Sequence, residues 1–242
     1  MNSADGTPAA LLEVRDLTAS YGPFKAVFGV SFSVPGGRAT ALLGPNGAGK
    51  TTVARAISGL ISPERGHIWF NGTDIAGQRA YRIARLGIAH ATEGRSVFAS
   101  LTVEENLSLA FRRNAKRAAL AAKLASAYDL FPRLGERRSQ LAGTLSGGEQ
   151  RMLSLARVLV DPPKLLVVDE LSLGLAPVIV SEVYEKLALI KTQGTTLLII
   201  EQYVEQALKI ADDAVVMNRG EVVYAGPPTT ADELASHFLI GS

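Results

Sequence analysis

Eight consecutive residues, Gly44-Pro45-Asn46-Gly47-Ala48-Gly49-Lys50-Thr51, follow an apolar run at 39–43 and lead into a stretch of helical composition that ends near Gly59. A buried strand that turns through three glycines straight into a helix is the opening of a βα unit, and it commits this part of the chain to a sheet covered by helices. With 242 residues, 47% of them hydrophobic and 20% charged, the chain has enough apolar surface to bury a sizeable core. The same balance excludes a disordered or fibrous chain.

The α/β pattern continues on both sides of this unit. Val30, Phe32 and Val34 alternate as in a half-buried strand, Pro35-Gly36-Gly37 turns the chain, and a strand is expected at 67–70 before the turn Asn71-Gly72. From Thr102 to about Val160 the alternation disappears: Thr102 and Glu105 have capping-box spacing, and 114–130 is rich in Ala, Leu and Lys. This middle segment reads as a helical insertion. Pro162-Pro163 ends it, and Leu165-Leu166-Val167-Val168 reads as a strand buried on both faces. Ile179, Val183, Leu187 and Ile190 then form one stripe along a helix. A strand at 195–200, a helix after Val204, a hairpin within 214–224 and a helix from Thr230 complete the expected elements.

The residues at 44–51 fit G-x4-G-K-[ST] in the strand-to-helix setting that a phosphate-binding loop requires. Glycines let successive backbone N–H groups converge on a polyphosphate, and the following helix start adds a favourable dipole. Lys50 is expected to bridge the β- and γ-phosphates, with the Thr51 hydroxyl on Mg2+. Asp169 and Glu170 close the apolar strand at 165–168, at the sheet edge where ligands bind in open α/β folds. Asp169 is expected to hold Mg2+ through its water shell, and Glu170 to accept a proton from the water that attacks the γ-phosphate. Ser146, Gly147 and Gly148, followed by Glu149-Gln150, open a helix and offer a hydroxyl and backbone N–H groups as a second anion site.

These three motifs in this order, with the helical segment between them, resemble the ABC-type ATPases, and specifically the nucleotide-binding subunits of ABC transporters. The resemblance covers nearly the whole chain. It implies an α/β P-loop NTPase core with an N-terminal antiparallel β subdomain and an α-helical subdomain inserted at about 94–160. The domain would span 10–242, with 1–9 a flexible N-terminus. ATP and Mg2+ are the implied cofactors. The implied nucleotide contacts are Tyr21, stacked on adenine, the loop residues Gly44, Pro45, Asn46, Gly47, Ala48, Gly49, Lys50, Thr51 and Thr52, and also Glu93, Ser146, Gly147, Gly148 and Glu149. The second group would close over a γ-phosphate held by a partner subunit. Thr51, Asp169 and Glu93 are the implied metal ligands, and Lys50, Glu170 and Gln202 the implied catalytic residues.

Departures from the wider family narrow the resemblance. Glu93 stands where most members carry Gln, Gln202 where most carry His, and Ala176 where many carry Asp. Together with Glu93-Gly94-Arg95, the segments at 101–107 and 172–177, and Glu201-Gln202, they resemble an ATP-binding subunit of branched-chain amino acid importers. Urea-type importers share much of this wording. Thr92, Leu171 and Tyr203 depart from that pattern. The implied partners are membrane permease subunits, a second ATP-binding subunit and, indirectly, a solute-binding protein, with the chain peripheral on the cytoplasmic face of the membrane.

Other classes find little support. Lys plus Arg total 25 against 23 for Asp plus Glu, a net +2 that is too small to drive nucleic-acid binding by phosphate neutralisation. Cysteine is absent, which removes disulfides, thiolate metal sites and thiol catalysis. The N-terminal residues do not read as a secretory signal, and no apolar run reaches the roughly 18 residues that span a bilayer. A soluble ABC ATPase working on nucleic acid or in assembly stays open as the alternative class. His67, His90 and His237 read as isolated, without a carboxylate or second histidine at ligand spacing.

Overall fold

Apolar runs bounded by turn formers set the strands, and the computed structural model describes the chain over residues 9–92, 97–112, 117–172 and 175–239. The chain opens with β1 (Ala10–Tyr21), β2 (Phe24–Pro35), β3 (Ala39–Leu43) and α1 (Lys50–Ile57), then β4 (Arg65–Phe70), β5 (Thr73–Asp74), α2 (Ala80–Leu86) and β6 (Ile88–Ala91). Helices α3 (Val103–Phe111), α4 (Arg117–Leu130), α5 (Pro132–Glu136) and α6 (Gly147–Leu159) follow. Strands and helices then alternate through β7 (Leu165–Asp169), α7 (Pro177–Thr192), β8 (Thr196–Glu201), α8 (Val204–Leu208), β9 (Asp213–Asn218), β10 (Glu221–Gly226) and α9 (Ala231–Leu239).

The chain divides into two units, the first comprising Met1–His90, Lys164–Glu170 and Lys191–Ser242. It contains a six-stranded sheet in the order β10-β9-β3-β8-β7-β6. Strand β3 runs parallel to β8 and β9, and β7 runs parallel to β8. Every residue of β3, β7 and β8 is buried, as expected of parallel strands covered on both faces and written as unbroken apolar runs. In register, Leu43 faces Glu201 and Asp169 faces Ile200, so three strand ends arrive at one edge.

The second sheet of this unit is antiparallel, in the order β2-β1-β4-β5. Its inward residues, among them Leu12, Val14, Val30 and Ile68, share one core with Leu42, Val167 and Leu198 of the six-stranded sheet and with Val53 and Ile57 of α1. Asn71 and Gly72 join β4 to β5 with φ 47° and 76°, the left-handed pair that a two-residue hairpin turn demands. Arg219 and Gly220 repeat this at β9–β10 with φ 49° and 83°.

The second unit comprises Ala91–Pro163 and Leu171–Ile190, and is helical. Thr102 caps α3 in a complete capping box with Glu105, as its spacing predicts. Asn106 is fully buried on α3, where its amide accepts from the Phe98 N–H at 2.8 Å and donates to the Phe98 and Thr102 carbonyls at 3.0 and 2.9 Å. Among the described residues no helix is long and apolar enough to cross a membrane.

Three features differ from the sequence expectation or fall outside it. The strand expected at 195–200 is shifted by one residue and ends on Glu201, which is buried at 1% exposure because β8 lies between β3 and β7. Helix α2 and strand β6 had no strong pattern, since α2 buries only Ile83 and β6 has four residues at a sheet edge. Residues 1–8, Glu93 with its neighbours 94–96, 113–116, and 173–174 within the 172–177 segment lie outside the described residues.

Candidate functional site

The loop between β3 and α1 is shaped by backbone that only glycine accepts. Gly44 has φ 151°, and a Cβ there would lie 2.2 Å from the Met217 carbonyl oxygen. At Gly49, φ is 96° and a Cβ would lie 2.7 Å from the Ala26 carbonyl oxygen. The Ala48 N–H closes the loop on the Pro45 carbonyl at 3.2 Å. Asn46 and Gly47 are exposed at its apex, while Ala48 and Thr52 are buried at its base. Helix α1 begins with Gly49 as its N-cap and no side-chain cap, and its first main-chain bond runs from the Val53 N–H to the Gly49 carbonyl at 3.0 Å. The N–H groups of Lys50, Thr51 and Thr52 therefore precede the helical ladder and suit an anion.

Lys50 is 3% exposed, and its Nζ donates to the Gly44 and Pro45 carbonyls at 2.8 and 3.1 Å. The Glu170 carboxylate stands 3.8 Å away. Burial lowers the Lys50 pKa below its usual 10.5, against the opposing pull of Glu170, Asp169 and Glu201. Thr51 donates from Oγ1 to Asp169 Oδ1 at 3.3 Å, which places a hydroxyl and a carboxylate oxygen side by side. Hard oxygens of this kind suit Mg2+, which takes one or two carboxylates together with water and substrate phosphates. Among the described residues no group of three His, Cys, Asp or Glu could hold a metal by itself.

Asp169 is 1% exposed at the end of β7, and Glu170 follows it with φ 47°. A non-glycine residue in the left-handed region costs about 1–2 kcal/mol. It is held there by its N–H, which donates to the Ile200 carbonyl at 2.9 Å. This turn aims the Glu170 side chain back toward Lys50 and keeps it half-buried. Gln202 lies one residue past β8, half-buried. The buried carboxylate of Glu201 is a feature that sequence reading placed outside the strand.

Tyr21 ends β1 and is 39% exposed. Arg55 of α1 donates to its hydroxyl at 3.3 Å and places its guanidinium carbon 6.0 Å from the ring centroid, so the ring is steadied from the helix side.

In the helical unit, Ser146 is the N-cap of α6. Its Oγ accepts from the Glu149 N–H at 3.3 Å, while Glu149 Oε2 accepts from the Ser146 N–H and O–H at 2.9 and 2.8 Å. Arg137 reaches the other Glu149 oxygen at 2.9 Å. The Ser146 hydroxyl is thus engaged within the cap. Gly147 and Gly148 supply the N–H groups ahead of the first helical bond, from the Gln150 N–H to the Ser146 carbonyl at 3.0 Å. The S-x-x-E spacing at 146–149 carried this capping signal in the sequence.

The histidines are not isolated, contrary to the sequence expectation. His67 bonds Asp74 at 2.7 Å, His90 lies 3.8 Å from Asp169, and the His237 ring packs on Tyr224 with centroids 5.3 Å apart. Helical ligand spacing could not find these pairs, because each partner sits on another element.

Residues 27–172 match the family model described as ABC transporter. BraG of Pseudomonas aeruginosa, named a high-affinity branched-chain amino acid transport ATP-binding protein, is 40% identical over 213 residues, covering 88% of this chain and 91% of that protein. A probable branched-chain amino acid transport ATP-binding protein, LivF, of Archaeoglobus fulgidus is 34% identical over 228 residues, covering 94% and 95%. A Nod factor export ATP-binding protein of Rhizobium etli is 34% identical over 217 residues, covering 90% of this chain and 68% of that protein. Among solved structures, an ATP-binding subunit of an ABC transporter has a TM-score of 0.84 at 29% identity, covering 95% of this chain and 99% of that one. The ADP conformation of an ABC transporter's ATP-binding cassette has a TM-score of 0.79 at 26% identity, covering 96% of each chain.

Proposed function

Because this chain belongs to the ABC transporter family, as an ATP-binding subunit that binds nucleotide, hydrolyses ATP and works with membrane permease subunits, we propose that it drives uptake of branched-chain or related amino acids. The reading of the solute rests on BraG, similar over nine-tenths of both chains. The reading of the chemistry rests on one observation: Lys50, Thr51, Asp169 and Glu170 converge at a single sheet edge.

In this reading residues 10–242 act as one cassette. Tyr21 stacks on adenine, and the loop from Gly44 to Thr52 wraps the phosphates with its N–H groups. Lys50 exchanges the Gly44 and Pro45 carbonyls for β- and γ-phosphate oxygens, a move its buried charge favours because an anion replaces two neutral dipoles. Thr51 and Asp169 would hold Mg2+, with Glu93 as a further ligand, and the ion when bound would neutralise phosphate charge. Glu170 takes a proton from the attacking water as the bond between the γ-phosphorus and the ADP oxygen breaks. Gln202 donates its amide to the γ-phosphate or to that water. Ser146, Gly147 and Gly148 of a second ATP-binding subunit close on the same phosphate, with Glu149 fixing Ser146. Permease subunits and a solute-binding protein complete the transporter, with this chain on the cytoplasmic face.

The test is uptake of labelled leucine by cells of the source organism lacking this chain. Uptake should fall and return with the parent chain but not with Glu170→Gln. Undiminished leucine uptake in the deleted cells would remove the solute assignment. The exporter relatives at 34% identity favour a second reading, in which efflux of another solute is lost instead.

A further inference from the structure

His90 is a titratable group with a buried side chain that this mechanism does not use. It lies on β6 at the edge of the six-stranded sheet, beside β7, and its side chain is 6% exposed. On one side of the ring, Nδ1 is 3.0 Å from Ser58 Oγ, the C-cap residue of α1. On the other side, Nε2 has no hydrogen-bond partner among the described residues and stands 3.8 Å from Asp169 Oδ2. The other oxygen of that carboxylate, Oδ1, faces Thr51. Asp169 therefore lies between a hydroxyl on one oxygen and an imidazole nitrogen on the other.

The contacts of the ring bear on which nitrogen carries its hydrogen. Ser58 donates from Oγ to the Ala54 carbonyl at 2.8 Å, and that carbonyl also accepts the Ser58 N–H at 3.0 Å. The hydroxyl proton can therefore turn to Nδ1 without leaving that carbonyl unpaired. A neutral ring then carries its hydrogen on Nε2, directed at the carboxylate. The other neutral tautomer would set a lone pair against a buried carboxylate, which costs energy in a low-dielectric interior. At 3.8 Å the two atoms are too far apart for a hydrogen bond, but contacts of this kind in catalytic sites shorten when substrate is taken up.

We propose that His90 is a positioning residue for the metal site: its Nε2–H restrains Asp169 Oδ2, leaving Oδ1 and the Thr51 hydroxyl as the pair that faces the cation, while Ser58 fixes the ring from behind. The proposal rests on the reading of Asp169 as a Mg2+ carboxylate. Carboxylate and histidine here exchange the roles they have in the usual metal site, where a carboxylate orients a liganding histidine. Loss of such an outer partner costs about 10–100-fold in metal affinity.

The experiment measures binding of a fluorescent ATP analogue, without turnover, as Mg2+ is raised from zero in EDTA. In His90→Phe, which keeps a ring of similar shape without nitrogens, the half-saturating Mg2+ concentration should rise about tenfold, with EDTA-resistant nucleotide affinity unchanged. His90→Gln, whose amide can donate from nearly the same place, should return to within about threefold of the parent. A curve for His90→Phe that overlays the parent, or equal shifts in the Phe and Gln variants, would overturn the proposal. Should the Phe variant not fold, Ser58→Ala serves in its place: loss of ring restraint should raise the Mg2+ requirement about threefold, and no change overturns it. Asp169→Asn separates the two levels. Loss of the Mg2+ response there with a parent-like His90→Phe defeats the role of His90 alone, whereas a parent-like Asp169→Asn removes the metal reading of Asp169 and this proposal with it.

Discussion

The residues at the nucleotide edge divide by what each can lose. Glu170→Gln keeps the side chain's size and its left-handed backbone but removes the base. ATP binding should persist while hydrolysis falls by roughly 10²–10⁴, read from steady-state turnover beside equilibrium binding. Lys50→Ala removes the buried cation itself and should weaken binding first; full affinity in that variant would contradict its place against the phosphates. The loop glycines give a second, purely steric prediction. Gly47 has φ 80° and open space where a Cβ would go, so Gly47→Ala should cost about 1–2 kcal/mol of backbone strain and no more. Gly44→Ala would drive a Cβ to 2.2 Å from the Met217 oxygen, so β9 and the loop must separate. Its melting temperature should fall well below that of Gly47→Ala, and equal values would show that the loop yields at both places. That these residues stand together was legible beforehand, because Gly44 to Thr51 and Asp169-Glu170 are contiguous segments at the ends of apolar strands. The surroundings of His90 and Glu201 were not legible: Asp169 and Lys50 lie far away in sequence and come near them only in the folded chain.

At the scale of elements, helix starts and buried strands were the readable parts. The box of Thr102 and Glu105, the apolar run of β7 and the Asn-Gly turn after β4 each follow from local physics. The order β10-β9-β3-β8-β7-β6 did not, since parallel neighbours joined through crossovers leave no local signature, and neither did the assignment of most of α7 to the unit that holds 91–163. The cap of α6 gives the prediction at this scale. Burial alone would raise the Glu149 pKa, but the hydrogen bonds from Ser146 and the nearby Arg137 and Arg133 reverse this and leave it below 4.5. A carboxylate depressed in the folded state stabilises the fold above its unfolded pKa, and that contribution fades as pH falls through the lower folded value. Glu149→Ala should therefore cost about 1 kcal/mol at pH 7 in denaturant unfolding, with the gap to the parent narrowing below about pH 4.5. A gap that stays constant into acid would mean that packing, rather than the charged cap, holds this helix start.

For the whole molecule, the proposed chemistry requires more than one chain. A phosphate gripped by Lys50 and the α1 start has its remaining oxygens to satisfy, and the N–H groups of Gly147 and Gly148 at the start of α6, ahead of the first helical bond, are donors that a second cassette would bring to them. Nucleotide would then be part of the interface, and association should follow its presence rather than chain concentration alone. Glu170→Gln with ATP and Mg2+ is the state that should accumulate, because the γ-phosphate is bound and not consumed. Light scattering should show the mass doubling with ATP and remaining that of one chain with ADP, which lacks the shared group. Ser146→Arg in the same background should return the mass to one chain by inserting bulk and charge where the phosphate must enter. Adding Lys50→Ala should do so by a different route, through loss of nucleotide. If the chain pairs with a similar, non-identical subunit, doubling appears only when that subunit is supplied, and Ser146→Arg still prevents it. A mass of one chain with ATP, both alone and beside the second subunit, would rule out a phosphate-bridged pair and return Ser146, Gly147 and Gly148 to the role of a helix cap.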